Sequence, residues 1–344
     1  MQSVGLVELQ RIEIARDCGY FPVVALVGGG VAGNERILVV LRAGAGHLGL
    51  GGRLEATWSE DGGRRWAERV VVADSERDDR NPAIGVCDSG EVVVAYHHQG
   101  SYGADGKWKG GGPVDTLLRR SADGGRTWTA PYPLSYEAMR GRSPYGKMVR
   151  MPGGEMLLNI NGSPNAGGQD YASYLLRSRD YGLTWVEPAT IAVGFCETAL
   201  ALLPDGDLLA AMRSREQPDA VWLARSADGG RTWSLPERLT EQGEHPADLL
   251  VLRDGRVLVT YGRRHEPFGV EGRVSADGGR SWGPVFVLAD DAHNVDCGYP
   301  CSAQLGDGSI VTVYYATGPE TERYFGTGCR AYALLYRPEA LPGG

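Results

Sequence analysis

The sequence is poor in cysteine, histidine and net positive charge, and each shortage removes a class of protein. Its six cysteines, Cys18, Cys87, Cys196, Cys297, Cys301 and Cys329, are scattered through 344 residues without a Cys-x-x-Cys pair. That is too sparse for a disulfide scaffold, so they are expected to be buried free thiols. Only His97 and His98 adjoin among the six histidines, and neighbours on a strand point to opposite faces, so no metal site is expected. No nucleotide-binding glycine motif stands out among the turn glycines, and no cofactor is expected. Lys and Arg number 35 against 43 Asp and Glu, a formal net charge of -8. Nucleic acid and anionic membranes demand a cationic field, so a small molecule or a glycan is the better-matched partner. No apolar run is long enough to span a bilayer, and MQSVGLVELQRIEIARD lacks a basic stretch followed by an apolar one. The expectation is a cytoplasmic location without membrane insertion.

What the chain has in abundance is glycine, 51 residues clustered with Asp, Ser and Asn. That is the composition of many tight turns between strands, and it points to an all-β fold. One octapeptide, SxDxGxxW, recurs at Ser59 to Trp66, Ser121 to Trp128, Ser178 to Trp185, Ser226 to Trp233 and Ser275 to Trp282. Each copy reads as a β-hairpin turn: the Asp caps the turn backbone, the glycines take positive φ, and the Trp folds onto the apolar side. Successive copies start 62, 57, 48 and 49 residues apart, the length of a four-stranded propeller blade with its loops. The repeat predicts a six-bladed β-propeller, a single domain over residues 1–344, with each box joining a third strand to a fourth. In blade 2 the strands are expected at Asn81 to Cys87, Glu91 to His98, Asp115 to Ser121 and near Tyr132. The last set, Pro300 to Leu305, Ser309 to Tyr315 and Arg330 to Tyr336, lacks a box and a fourth strand, while Leu6 to Ala15 lacks a blade. Pairing them closes the ring and removes two exposed edges.

Strand polarity then sorts the loops. The boxes occupy one face, and the opposite face collects the starts of the first strands and the ends of the second. That second list includes Tyr20, Arg42, His47, Asp79, Arg80, His97, Glu197, Arg213, Arg263, Arg264 and Tyr299, and five of the six histidines fall on this face. Inner strands converge on the axis, so these groups should meet in one concave pocket. Glu197, between Phe195-Cys196 and an apolar strand, sits where a solvated charge is least expected.

The five boxes and their spacing resemble the sialidase superfamily, and the resemblance runs through essentially the whole chain. It implies that Glu197, in CETALALLPDGDLLAAMRSR, polarises Tyr299, in DCGYPCSAQLGDGSIVTVYY, and that Tyr299 attacks an anomeric carbon. A phenol with pKa near 10 needs such an adjacent carboxylate to become a nucleophile. The resemblance also implies an arginine clamp on a substrate carboxylate, matched by Arg213 and by Arg263 or Arg264, only one of which can point inward. The family's first arginine has no counterpart in Gly19-Tyr20-Phe21-Pro22, so Arg42 or Arg80 would have to reach in from a neighbouring loop. The family's acid/base aspartate has no counterpart either. Residues 43–53 carry His47 and no carboxylate, which leaves Asp79, His47 and the pair His97-His98 as proton donors. The implied activity is an exo-acting glycoside hydrolase removing a terminal, acidic or furanose-like sugar. A uronate-specific polysaccharide lyase and a glycan-binding propeller without catalysis are the alternatives.

Overall fold

In a computed structural model, residues 4–5, 9–28, 35–110, 112, 114–135, 140–163, 171–319 and 328–342 are described. Six antiparallel sheets form a ring. Blade 1 holds Tyr20–Val27, Arg36–Ala43, Arg53–Ser59 and Val70–Ala73, and blade 2 holds Asp78–Val86, Val92–Gln99, Val114–Ser121 and Tyr132–Pro133. The first strand of blade 3 is broken: Arg140–Pro144 and Val149–Arg150 pair with Met156–Ser163, while Gly146–Lys147 between them pairs parallel to Ala83 and Ile84 of blade 2; Ala172–Ser178 and Val186–Val193 complete blade 3. Blade 4 holds Phe195–Leu202, Leu208–Ser214, Val221–Ser226 and Glu237–Arg238; blade 5 holds Glu244–Val251, Val257–Arg263, Gly269–Ser275 and Phe286–Ala289. Among the described residues the one helical element is the short turn Pro338–Ala340.

Blade 6 consists of Gly298–Gln304, Ile310–Thr317 and Cys329–Tyr336, and its fourth strand is Gln10–Arg16, paired antiparallel to Cys329–Tyr336. The ring therefore closes as the sequence pattern requires; residues 6–8 of the expected strand lie outside the described residues. The pattern did not show that Val4–Gly5 pairs parallel to Phe286–Val287 of blade 5, so the same segment binds both blades.

The boxes are turn devices. In each, the Ser hydroxyl accepts the N–H of the glycine four residues on, at 2.7 to 2.9 Å. Asp228 shows the second half: Oδ1 accepts Arg231 and Thr232 N–H at 2.9 Å, while Oδ2 takes the Thr232 hydroxyl. The indoles of Trp66, Trp128, Trp185 and Trp233 donate back to the turn glycine at 3.0 to 3.2 Å. Apolar residues of neighbouring blades interleave between the sheets, so the core is a ring of seams rather than one centre. All six cysteines lie buried and unpaired within it.

Candidate active site

The first strands do not run straight to the axis. In blades 1, 2, 4, 5 and 6 the register slips near the mouth end, where two residues oppose one: Phe21-Pro22, Asn81-Pro82, Glu197-Thr198, His245-Pro246 and Tyr299-Pro300. Such a bulge re-aims a side chain, and proline fits because its missing N–H is not needed there. The first bulge residue is left-handed in four blades, with φ of 52° at Phe21, 46° at Asn81, 38° at Glu197 and 48° at Tyr299. A side chain held so costs on the order of 1 to 3 kcal/mol, and this strain is concentrated around the axis. In blade 3 the strand instead breaks at Tyr145, beside Gly146 with φ 68°.

The bulges bring Glu197 and Tyr299 together from blades 4 and 6. The Tyr299 hydroxyl donates to Glu197 Oε1, while Glu197 Oε2 accepts Arg213 Nη1 at 3.0 Å. Asp219 grips the other edge of Arg213 through two bonds of 2.9 Å and accepts His245 Nε2 at 3.0 Å. Burial raises the Glu197 carboxyl, but Arg213, the Tyr299 hydroxyl and Arg264 outweigh it and hold the pKa below the usual range. Burial first, and then the Glu197 charge, push the Tyr299 phenol well above 10. The resting pair is thus a carboxylate beside a neutral phenol.

Arg264 settles the alternation of the two arginines. Its guanidinium lies 5.3 Å from the Tyr299 ring centre and makes one hydrogen bond, to the Cys297 carbonyl at 3.2 Å; its buried Nε has no partner among the described residues. Arg263 points the other way and is consumed by Glu271 at 2.6 Å and the Pro267 carbonyl.

Where an arginine was expected in blade 1, Phe21 packs edge-on at 4.8 Å to both Tyr299 and His47, and the Arg80 guanidinium sits 5.2 Å from its ring centre. Arg80 is thus the basic group on this side of the pocket. Arg42 is not: it is fully buried, binds Asp78 Oδ1 at 2.7 and 2.9 Å, and holds the carbonyls of Ala45, Gly46 and Gly49. Its work is to shape the loop that carries His47.

Two proton-donor candidates separate clearly. His47 Nδ1 meets Asp296 Oδ1 at 2.7 Å, and Tyr315 donates to the same oxygen at 2.6 Å. Burial depresses His47 to about 4 against the pull of Asp296, so the ring is neutral at pH 7 and Asp296 fixes its tautomer. Asp79 is fully buried and bonds His98 Nδ1 at 2.7 Å, and among the described residues its Oδ2 has no hydrogen-bond partner. His97 lies beside Arg80 with a buried Nε2 lacking a partner among the described residues, and burial depresses it to about 3. Tyr20 is buried behind the pocket wall, its ring 5.1 Å from Tyr315 and 5.8 Å from His47. Asp219 and Asp296 are not among the residues singled out from sequence for catalysis or binding, although both lie on mouth-side loops. Beneath the ring, Lys147 Nζ ties Asp248 at 3.0 Å to carbonyls of Leu249 and Ser302, a plug across blades 3, 5 and 6. No group of three or more His, Cys, Asp or Glu able to hold a metal occurs among the described residues.

The BNR repeat-like domain matches residues 35–312. The chain belongs to this family. A protein of unknown function from Dyadobacter fermentans is similar at 26% identity, with TM-score 0.79, covering 98% of this chain and 100% of that one. The Hadza microbial sialidase Hz136 shares 16% identity over 94% of this BNR chain and 66% of its own, with TM-score 0.72. NanB sialidase from Streptococcus pneumoniae shares 12% over 96% and 70%, also with TM-score 0.72. The likeness to the sialidases is one of fold. No curated protein matches this BNR chain at a significant level.

Proposed function

We propose that this propeller is an exo-acting glycoside hydrolase that removes a terminal acidic sugar through a tyrosyl intermediate. The observation that carries the reading is the Tyr299–Glu197 hydrogen bond, made by two residues that both adopt a left-handed backbone at the axis. Such strain persists where the fold over-determines it, and it clusters at functional sites. Tyr299 Oη attacks the anomeric carbon as its proton passes to Glu197, and the glycosidic C–O bond breaks. His47, in its imidazolium form, gives its proton to the leaving oxygen; with a pKa of about 4 that form is a minority at neutral pH. In the second step neutral His47 takes a proton from water, the water oxygen attacks the same carbon, and the Tyr299 oxygen departs with the proton held by Glu197. Two displacements at one centre return the original configuration.

Arg264, with its unpartnered Nε, supplies positive charge that suits a carboxylate on the sugar, and Arg80, held to Asp78 by a long ion pair of 3.5 Å, adds to it. Arg213 is already matched by Glu197 and Asp219 and serves chiefly to keep Glu197 ionised. The test is turnover of aryl glycosides of sialic acid, uronic acids, arabinofuranose and rhamnose by the wild type, Glu197→Gln and Tyr299→Phe. Hydrolysis of one member that both variants lose supports the reading; full activity in either variant overturns the assigned roles. A lyase acting on uronates is a second reading, favoured by the depressed His47, which is a base at neutral pH. Its product carries a double bond conjugated to the carboxylate and absorbs in the ultraviolet, which the hydrolase product does not.

A further inference from the structure

The structure carries one large aromatic surface on the mouth face that no catalytic role uses. Trp108 is 42% exposed, and among the described tryptophans it is the one that stands among the exposed large apolar side chains. It lies on the loop between the second and third strands of blade 2, so it shares the mouth face with His47. That loop is built rather than loose. Tyr102 and Trp108 face each other in an antiparallel bridge, Gly103 N–H donates to the Lys107 carbonyl, and Lys109 N–H donates to the Ser101 carbonyl, both at 2.9 Å. The two rings meet edge to face at 5.5 Å and 83°.

The loop is also fastened to the one that carries His47. The Tyr102 hydroxyl donates to Asp78 Oδ2 and accepts the Gly49 N–H at 2.9 Å. The other oxygen of Asp78 is held by Arg42, whose guanidinium also binds the carbonyls on either side of His47 and its neighbours. Leu50, also 42% exposed, sits on this second loop, with its Cδ1 turned toward Gly106 of the first. An indole and a leucyl side chain thus lie on two loops fastened to each other, one of which carries His47.

We infer that Trp108 and Leu50 form a binding platform for the sugars on the leaving-group side of the scissile bond, so that the substrate is an oligosaccharide or glycan rather than a small glycoside. The inference rests on the proposed glycosidase reading for its direction, because His47 fixes the side on which the leaving group departs. The C–H face of a pyranose is apolar and flat, and an indole held in place by its own hairpin binds it with little ordering cost. Lys107 and Lys109 flank the indole and keep the surrounding surface hydrated.

The experiment uses the Glu197→Gln protein, whose turnover is expected to be too slow to consume the ligand during the measurement, on a surface of immobilised short oligosaccharides ending in sialic acid, a uronic acid, arabinofuranose or rhamnose. Glu197→Gln with Trp108→Ala is compared with Glu197→Gln with Trp108→Phe, and thermal unfolding checks that both are folded. The expected result is binding of at least one oligosaccharide by Glu197→Gln, a loss of about tenfold in affinity with Trp108→Ala, and substantial retention with Trp108→Phe. Equal binding by the alanine variant, or no binding of any oligosaccharide, overturns the platform. Failure of the catalytic reading is seen separately, as turnover that survives Tyr299→Phe, and it leaves the binding comparison readable.

Discussion

Asp296→Asn is the substitution that most directly probes the electrostatics of the pocket, and it does so without knowledge of the sugar. The Asp296 carboxylate touches His47 Nδ1 at 2.7 Å and is itself fully buried, so its charge is little screened. Burial drives His47 down to about 4, and Asp296 is the largest influence opposing that descent. A hydrogen bond to a charged group contributes about 1.5 to 3 kcal/mol, which corresponds to roughly 1 to 2 pKa units. Replacing the carboxylate by an amide removes an anion that favours imidazolium, so the His47 pKa falls, by about that amount. The assay is a proton NMR titration of the histidine ring signals, with His47 assigned from the spectrum lost in His47→Gln. In the wild type this ring should titrate near 4, and in Asp296→Asn below the range the fold tolerates. An unperturbed wild-type titration, or no change in Asp296→Asn, would refute the placement of His47 in a desolvated dyad. If the site hydrolyses glycosides, turnover of substrates with poor leaving groups should fall above pH 4, since about one His47 in a thousand carries a proton at pH 7. Activated aryl leaving groups should be spared.

If the site hydrolyses glycosides, Glu197→Gln should lower turnover by about 10² to 10⁴-fold, with the unfolding temperature nearly unchanged; steady-state kinetics and calorimetry check both. Phe21→Ala removes a buried ring that touches His47, Tyr299 and Tyr315, and urea unfolding should report a loss of about 3 to 5 kcal/mol. Asp228→Ala strips its box of the carboxylate that gathers two backbone N–H groups and a hydroxyl, and should destabilise by about 1 to 3 kcal/mol while leaving turnover per folded molecule intact. His47 and His245 both have folded pKa values of about 4, below 6.5, so the folded state binds fewer protons than the unfolded state between those values. Stability should therefore fall as pH drops from 6.5 toward 4, by on the order of 3 kcal/mol for each ring, as read from unfolding curves at successive pH.

The parts of this molecule that could be read from sequence are those whose physics is local. A box needs only its own Ser, Asp, Gly and Trp, so five copies announced five hairpins and, through their spacing, the ring. Glu197 was legible as a charge set directly before an apolar strand, and Tyr299 through the resemblance, at the start of the last blade. The bulges near the mouth end had a signal that went unused: Phe21-Pro22, Asn81-Pro82, His245-Pro246 and Tyr299-Pro300 repeat an X-Pro pair at the same blade position, and the strands continue one to three residues beyond it toward the mouth. What could not be read was partnership across the ring. Arg42 and Arg80 look alike in sequence, yet Asp78 binds the first closely at 2.7 Å and the second only at 3.5 Å, which leaves Arg80 over Phe21. Arg263 and Arg264 differ by one step of strand alternation, and Glu271 on the next strand decides which is withdrawn. Asp296 meets His47 across 249 positions of chain, a pairing that follows from closure of the circle and from nothing near either residue.

The strand Gln10–Arg16 completes the blade whose other members end at Tyr336, and Val4–Gly5 reaches the blade before it. During synthesis Gln10–Arg16 therefore has no partner in its sheet until Cys329–Tyr336 has emerged. At roughly 5 to 20 residues per second, that is an interval of tens of seconds. Blades 1 to 5 can stack in order behind the exit tunnel, each against its predecessor, but the pocket gains Tyr299 only with blade 6. The site is thus assembled in the same late event that seals the ring, and an incomplete chain presents an open sheet edge with no working axis.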